Sequence, residues 1–247
     1  MTTKLGVRWG VKPPLLSGQP KEILRANRVI EQIEDINRGL VAYYNDDGKS
    51  AATWQDMVNY PNGKNNGTIY GATTPPPATP GALGYTFDGV DDYVNAGNDA
   101  SLINSLTISA WINPSSLTGE RRIVNKRAAA SGYFLETDGA YPLFAGFDGV
   151  DYSWAQSTEA IELNKWTFVT GIIIGNTAYI YVNGVFKKAT TNVNVVNITN
   201  TRSVYIGHDE ATNWFNGSID EVRIFNRTLS AGEIIKLFNQ YRGKFGI

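Results

Sequence analysis

The amino-acid sequence predicts an all-β protein in which two antiparallel sheets pack face to face. About a dozen short segments rich in Val, Ile, Thr, Tyr and Phe are separated by turn residues, as is typical of a β-sandwich. The 247 residues include 25 Gly and 13 Tyr, a composition that favours strands and turns over helices. The sequence shows no repeat of the kind that marks a propeller.

The overall composition excludes several classes of protein. The chain has no Cys, which rules out a disulfide framework, a thiolate metal site and a Cys nucleophile. It contains no apolar run long enough for a transmembrane helix, and no apolar signal-peptide segment follows residues 1–4. Phosphate-binding glycine loops are also absent. We therefore expect no membrane partner and no nucleic-acid partner.

The first 38 residues differ from the rest of the chain. Pro residues and a lack of periodicity predict an extended arm, and residues 21–38 show the apolar spacing of an amphipathic helix. Residues 1–28 contain six basic residues and one acidic residue. Since the net charge of the whole chain is -1, the arm is basic and the remaining residues are acidic. Exposed apolar side chains usually need a partner surface. The candidate attachment residues are Arg8, Trp9, Leu15 and Leu16.

The sequence does not decide which surface the predicted helix over residues 21–38 packs against. Its apolar face could pack on its own domain, on a second copy of the chain, or on a larger assembly. A free, solvated arm is the simpler alternative for residues 1–20. We expect residues 1–38 to attach the protein to a larger assembly, such as a capsid or tail, and we allow for a homo-oligomer.

Residues 39–247 are predicted to form the β domain. A strand at residues 39–44 precedes a turn-rich stretch over 45–71, and Asp88-Gly89 and Asn183-Gly184 are typical hairpin turns. Ser230 and Glu233 have the spacing of a capping box, which predicts a short C-terminal helix. Residues 85–94 are predicted to form two strands joined by the Asp88-Gly89 turn, and the other predicted strands cover residues 106–113, 121–126, 132–136, 141–147, 166–174, 177–182, 185–188, 203–207 and 217–225.

Six motifs in this order resemble the laminin-G-like, concanavalin A-like jelly-roll family. They lie at residues 39–44, 85–94, 107–112, 166–169, 180–184 and 219–230, and the resemblance extends over residues 39–240. The resemblance implies two stacked antiparallel sheets of six or seven strands. It also implies functions that are mainly binding, to glycans, to other proteins, or in virion and cell-surface assembly. Fold class alone does not decide among these functions.

The resemblance further implies a structural calcium ion. In this family the acid of the Phe-Asp-Gly turn and the acid of the Ile-Asp-Glu-Val strand often lie close together around calcium, and the matching positions are Asp88 and Asp220. Calcium prefers six to eight oxygen ligands, which carboxylates and turn carbonyls supply. The alternative is that Asp88 only stabilises its turn and that Asp220 only ends a strand.

Aromatic residues near predicted turns are candidates for binding sugars, because sugar sites combine aromatic rings with amides and acids. The candidates are Tyr152, Trp154 and Trp214. The alternative is that these rings belong to the core or its rim.

Catalysis has weak support in the sequence. A glycosidase needs two carboxylates about 5–10 Å apart, and Glu136 and Asp138 are two residues apart, but Asp138-Gly139 has the character of a turn. The single His, His208, has no nucleophile motif around it. We therefore expect a protein that is not an enzyme.

Together these features favour a structural and adhesive protein on a virion surface. Its N-terminal arm would attach it to a phage capsid or tail, and its lectin-like domain would face outward. The alternatives are a free carbohydrate-binding module and, with less support, a glycoside hydrolase.

Overall fold

A computed structural model gives the structure of most of the chain. It describes residues 36–59, 62–74, 83–102, 106–127, 131–192, 198–209 and 212–247. Contacts between residues divide the chain into two units, 1–38 and 39–247. The helix predicted over 21–38 lies almost wholly outside the described residues, as do the candidate attachment residues Arg8, Trp9, Leu15 and Leu16.

The described part of the second unit is built mainly from fifteen strands and one α-helix. The strands are β1 (Leu40–Tyr44), β2 (Thr53–Trp54), β3 (Gly67–Tyr70), β4 (Tyr85–Asp88), β5 (Tyr93–Asn95), β6 (Thr107–Pro114), β7 (Glu120–Asn125), β8 (Gly132–Asp138), β9 (Tyr141–Phe147), β10 (Tyr152–Gln156), β11 (Thr167–Ile174), β12 (Thr177–Val182), β13 (Val185–Thr191), β14 (Tyr205–Ile206) and β15 (Asn216–Phe225). The helix is α1 (Ala231–Tyr241), and short 3-10 helices lie at Asp46–Gly48 and Ala100–Leu102.

The strands form two antiparallel sheets, which confirms the predicted fold class. The seven-stranded sheet has the order β1-β15-β6-β11-β12-β13, with β4 also paired to β15. The eight-stranded sheet has the order β10-β9-β8-β7-β14-β5-β3-β2. The expectation of six or seven strands per sheet was one strand short for this second sheet. The strands of this sheet that the sequence did not predict are β2 and β3, within the turn-rich residues 45–71, and β10 (Tyr152–Gln156).

The core lies between the two sheets. Ile108, Val169 and Ile180 of one sheet and Leu135 and Phe144 of the other belong to a single buried apolar cluster. Along most strands these residues alternate with residues that point away from the core, because successive side chains of a strand lie on opposite faces.

The C-terminal segment covers the outward side of the seven-stranded sheet. Trp111 of β6 stacks on Phe238 of α1 and on Phe245, with ring centroids 5.6 and 4.2 Å apart. At the start of α1, Ser230 and Glu233 form the predicted capping box. The opposite side of the sandwich, the face of the eight-stranded sheet that points away from the core, is called the outer face below.

Candidate functional site

The outer face is defined by side-chain alternation in the eight-stranded sheet. On β8, Tyr133 and Leu135 belong to the core cluster between the sheets, whereas Phe134 belongs to a separate cluster with Leu143 and Ala145 of β9. Since two apolar clusters lie on opposite sides of the same strands, the outer face carries its own set of aromatic and aliphatic side chains.

A row of residues crosses the outer face at right angles to the strands. Strand register pairs Trp154 with Ala145, Ala145 with Phe134, Phe134 with Asn125, and Asn125 with Tyr205. Paired residues of neighbouring strands point to the same face. The five side chains therefore form a continuous line from the edge strand β10 to β14.

One end of the outer face holds an aromatic cluster. Its members are Tyr70, Tyr93, Tyr205, His208 and Trp214. The His208 and Trp214 rings are stacked 4.5 Å apart at an angle of 9°, and Tyr70 and Tyr93 are stacked at 4.4 Å. Tyr93 and Tyr205 each lie against His208, at 4.3 and 4.8 Å. Rings that hold each other in this way lose little conformational entropy when a ligand packs on them.

His208 is buried within this cluster. Burial lowers the pKa of His208 to about 4, against the opposing effect of the neighbouring Asp209 carboxylate. The imidazole is therefore neutral at physiological pH, and its ring packs against both Tyr93 and Trp214. Although His208 lies in a loop, its ring packs within this cluster rather than in solvent.

A second group of rings lies towards β10. Tyr152 stacks on Phe147 with centroids 4.3 Å apart, and the guanidinium of Arg127 lies 4.9 Å from the Phe147 ring and 5.3 Å from the Tyr152 ring. Trp154, on the same strand as Tyr152, leaves 48% of its surface exposed. At the β10 edge of the outer face, the exposed ring of Trp154 therefore lies beside the packed rings of Phe147 and Tyr152.

Between the two aromatic groups lies a charged cluster around the buried side chain of Arg122. The guanidinium of Arg122 contacts the carboxylate of Glu136, and it lies 3.8 Å from Asp209 and 3.7 Å from Glu120. It also covers the ring of Phe134 at 3.9 Å. Glu136, the acid considered for catalysis, is thus held by a cation.

The predicted sugar-binding residues all belong to this face. Tyr152 and Trp154 lie at its β10 end, and Trp214 lies in the aromatic cluster at the other end. Tyr93, Tyr205 and His208 were not predicted as site residues. Tyr93 follows the outward alternation of β5, which was visible in the sequence, but its proximity to His208 depends on the pairing of β14 with β5.

The pairing of Asp88 with Asp220 around one ion is wrong. Strand register places Asp88 opposite Asn216, and Asp220 lies four residues further along β15, about 13 Å away at the usual rise of a strand. The carboxylate of Asp220 is fully buried and lies 2.8 Å from the ammonium of Lys244. The same acid therefore cannot share a ligand shell with the exposed turn at Asp88.

The Asp88 turn contains a different acidic group. Asp88, Asp91 and Asp92 can place one carboxylate oxygen each within 4.8 Å of the others. Asp88 also accepts hydrogen bonds from Val90 N and Asp91 N, at 2.8 and 3.3 Å. Burial raises the pKa of Asp92, and the charges of Asp88 and Asp91 raise it further. The donor set of three carboxylates suits a hard cation such as calcium.

Comparison with known proteins agrees with this fold. A sequence profile described as the concanavalin A-like lectin/glucanases superfamily matches residues 88–235, more than half of the chain. The chain belongs to the concanavalin A-like lectin/glucanase superfamily. No curated protein sequence matches it. Within this superfamily the outer face of the chain is one side of a lectin-like jelly roll.

Several solved structures share the fold. The binding domain of botulinum neurotoxin serotype D is 19% identical over 83% of this chain and 53% of its own, with a TM-score of 0.63. The binding domain of Paraclostridial Mosquitocidal Protein 1 is 16% identical with the same coverage and TM-score. The chain thus spans about half the length of these toxin domains.

A third similar structure is a carbohydrate complex. Domain 4 of AbnA, an extracellular arabinanase from Geobacillus stearothermophilus, was solved with arabinotriose; it is 19% identical over 80% of this chain and 97% of its own, with a TM-score of 0.61. At these identities the similarity establishes a shared fold. Across the described residues, no helix has both the length and the apolar character needed to cross a membrane.

Proposed function

We propose that the protein is a non-catalytic, lectin-like domain that binds carbohydrate on its outer face. The observation that supports this most directly is the half-exposed ring of Trp154 on the same face as the stacked pair His208 and Trp214. Aromatic rings pack against the C–H faces of sugars, and neighbouring amides and acids fix the orientation of the hydroxyls.

The polar residues of the face suit the same ligand. Asn213 donates hydrogen bonds to Glu120 and Asp209 at 2.9 and 2.8 Å, and Gln156 donates to Asp138 at 3.2 Å. Such amide and carboxylate pairs at the rim can exchange partners with sugar hydroxyls at little cost, because the amide and the acid both stay hydrogen-bonded. The arabinotriose bound to domain 4 of AbnA gives independent support for a carbohydrate ligand on this fold.

A glycan array probed with the full-length chain tests the proposal. Binding to one glycan class should fall roughly tenfold or more in Trp154→Ala and in Trp214→Ala, as expected for anchor residues. Phe186→Ala is the matched control, because Phe186 is 51% exposed and lies on β13 of the other sheet. An array with no bound glycan, or equal losses in all three variants, would contradict the proposal.

The attachment of the protein to a virion stays a second proposal. This proposal is supported by the positive net charge of residues 1–28, which precede an acidic domain in the chain. Since residues 39–247 form a unit of their own, deletion of residues 1–38 should leave a folded domain that binds glycan and no longer joins its particle. Incorporation of the truncated chain into the particle would refute the attachment role. Size-exclusion chromatography of both chains would show whether residues 1–38 also mediate a homo-oligomer.

A structural calcium ion also stays a proposal, with a changed ligand set. Asp88, Asp91 and Asp92 would hold the ion, and Asp220 would not. Calcium at this turn would fix the link between β4 and β5, the strand that carries Tyr93.

A further inference from the structure

We propose that Asn62, in the loop between β2 and β3, is the asparagine of this chain that converts most rapidly and without an enzyme to aspartate and isoaspartate. The sequence offers four places for this reaction, the Asn-Gly pairs at 62–63, 66–67, 183–184 and 216–217. Because the four dipeptides are identical, differences in their folded surroundings decide which of them reacts. The proposal concerns the chemical lifetime of the chain and goes beyond its binding function.

The reaction needs only the dipeptide and water. The backbone nitrogen of the glycine attacks Cγ of the asparagine, so that a bond from this nitrogen to Cγ forms and the bond from Cγ to Nδ2 breaks. The Nδ2 group leaves as ammonia with the proton of the attacking nitrogen. Water then opens the cyclic imide at one of its two carbonyls, which gives aspartate or isoaspartate. The attack therefore requires an asparagine side chain that can turn towards the glycine and a glycine backbone that can move, and glycine obstructs it least because it has no Cβ.

At two of the pairs, a hydrogen bond fixes the asparagine side chain. Oδ1 of Asn66 accepts a hydrogen bond from the backbone N–H of Asp56 at 2.9 Å. Oδ1 of Asn183 accepts one from the backbone N–H of Phe168, also at 2.9 Å. Turning either side chain towards its glycine would leave a backbone donor without its acceptor, which costs free energy. The glycines that follow these two asparagines are also buried.

A third pair lies inside strand β15. Nδ2 of Asn216 donates a hydrogen bond to the carbonyl oxygen of Asp88 at 2.9 Å. Gly217 is buried, and it pairs with Phe87 of β4 and with Pro114 of β6. Because neighbouring strands hold this backbone on both sides, the glycine nitrogen reaches Cγ only after a local opening of the sheet.

Asn62 lacks these restraints. The residue is exposed, and within the described part of the chain its side chain makes no hydrogen bond. Its backbone N–H donates to the carbonyl oxygen of Asn59 at 2.8 Å, which closes a turn immediately before Gly63. Gly63 is partly accessible and belongs to no strand or helix. A loop of this kind reaches the cyclic geometry without breaking a sheet or a side-chain hydrogen bond.

The product affects the folded domain because Gly63 packs closely on Asp56. A Cβ added to Gly63 would lie 2.1 Å from the carbonyl oxygen of Asp56. The carboxylate of Asp56 accepts hydrogen bonds from the backbone N–H groups of Tyr43 on β1 and of Asn65, at 3.0 and 3.3 Å. Isoaspartate inserts a methylene into the main chain directly before Gly63, and this close packing must open to admit it. The modified chain should therefore lose stability where the loop joins β1.

Peptide mapping by mass spectrometry, after prolonged incubation of the full-length chain at mildly alkaline pH, tests the proposal. Trypsin cleaves after Lys64, so Asn62 and Asn66 fall on separate peptides. Conversion at Asn62 should be at least roughly tenfold faster than at the other three pairs, because each of those asparagines must first break a hydrogen bond. The same chain unfolded in urea is the matched control, and there all four pairs should convert at similar rates.

Asn62→Gln links the modification to its consequence. During the incubation the melting temperature of the unaltered chain should fall, whereas that of Asn62→Gln should stay constant, because glutamine would have to close a larger and less favourable ring. Equal rates at the four pairs of the folded chain, or faster conversion at another pair, would overturn the proposal. So would an Asn62 that converts in urea and stays intact in the folded chain. An unchanged melting temperature of the converted chain would contradict the expected effect at Gly63.

Discussion

The ammonium of Lys244 lies 2.8 Å from Oδ2 of Asp220, a carboxylate with no exposed surface. The same ammonium lies 2.7 Å from Glu221 and 3.0 Å from Asp46. Asp220 and Glu221 are both buried on β15, which has an irregularity between Asp220 and Arg223 where Glu221 takes a positive φ of 52°. Although burial opposes it, the charges of Asp220 and Glu221 raise the pKa of Lys244. Lys244, which follows α1 in the chain, is thus the cation that faces the buried acids Asp220 and Glu221 of β15.

The first prediction concerns this contact. Lys244→Met should lower the free energy of unfolding by about 3 kcal/mol, because it leaves the buried carboxylate of Asp220 without its cation. Urea denaturation measures the loss. Lys236→Met is the control, since Lys236 is exposed on α1, the helix that precedes Lys244, and should change stability by less than about 0.5 kcal/mol. Adding Asp220→Asn to Lys244→Met should restore part of the loss, and similar values for the two Lys variants would contradict the assignment.

The second prediction concerns the start of α1. Arg227 donates a 2.6 Å hydrogen bond to Glu233, and the backbone and hydroxyl of Ser230 donate at 2.8 and 2.9 Å. Against the opposing effect of burial, these bonds lower the pKa of Glu233 to about 2. A carboxyl whose pKa is lowered by folding contributes stability above its ordinary pKa of 4.5 and loses it as the pH falls towards 2.

Glu233→Gln keeps the capping geometry and removes the titration. Between about pH 5 and about pH 2.5 the unaltered chain should lose on the order of 1 kcal/mol more stability than the variant, after allowance for solvent screening. Denaturant titrations across this range give the difference. Identical pH slopes for the two chains would show that the Glu233 charge has no part in stability.

Local chemistry in the sequence predicted many of the strands and turns. Asn183 and Gly184 both have positive φ, at 51° and 78°, as a type I′ turn requires, so the predicted hairpin turn is present. The Asp88-Gly89 turn also formed where expected, with Gly89 at a φ of 80°. In each case the signal lies within a few neighbouring residues, and the backbone has few alternatives.

The composition of the site could be predicted only in part. Trp154 was recognisable as an aromatic residue beyond a turn, but the cluster of Tyr93 with His208 joins residues more than a hundred positions apart through β14 and β5. The error at Asp220 has a similar origin. The irregularity of β15 and the approach of Lys244 depend on tertiary packing, which overrides the simple alternation of a strand.

The third prediction concerns His208. Because it is the single His of the chain, its ring protons give one unambiguous set of NMR signals. Those signals should titrate with a pKa of about 4. A His whose pKa is lowered by burial contributes stability above its ordinary pKa of 6.5 and loses it as the pH falls towards 4. Glycan affinity should accordingly stay constant from neutral pH down to about pH 5, and a titration near 6.5 would mean that the ring is exposed.

The final prediction concerns calcium at Asp88. The chain contains a natural comparison, because residues 147–151 repeat the sequence of residues 87–91. Asp148 accepts hydrogen bonds from Val150 N and Asp151 N at 3.0 and 2.9 Å, as Asp88 does in its own turn. The difference is the next residue, which is Asp92 in one turn and Tyr152 in the other. Three carboxylates at the Asp88 turn repel one another, and a bound cation would relieve this repulsion.

Calcium should therefore raise the melting temperature of the unaltered chain, because a ligand that binds only the folded state stabilises it. Asp88→Asn should abolish most of this rise, since Asn keeps an acceptor for the turn but removes a charged ligand. Asp148→Asn makes the same change in a turn without the third acid and should leave the calcium response intact. Differential scanning calorimetry with added calcium or with a chelator measures the shift. A melting temperature that responds to neither additive would refute calcium binding. An equal loss of the calcium response in both variants would mean that the ion does not bind at the Asp88 turn.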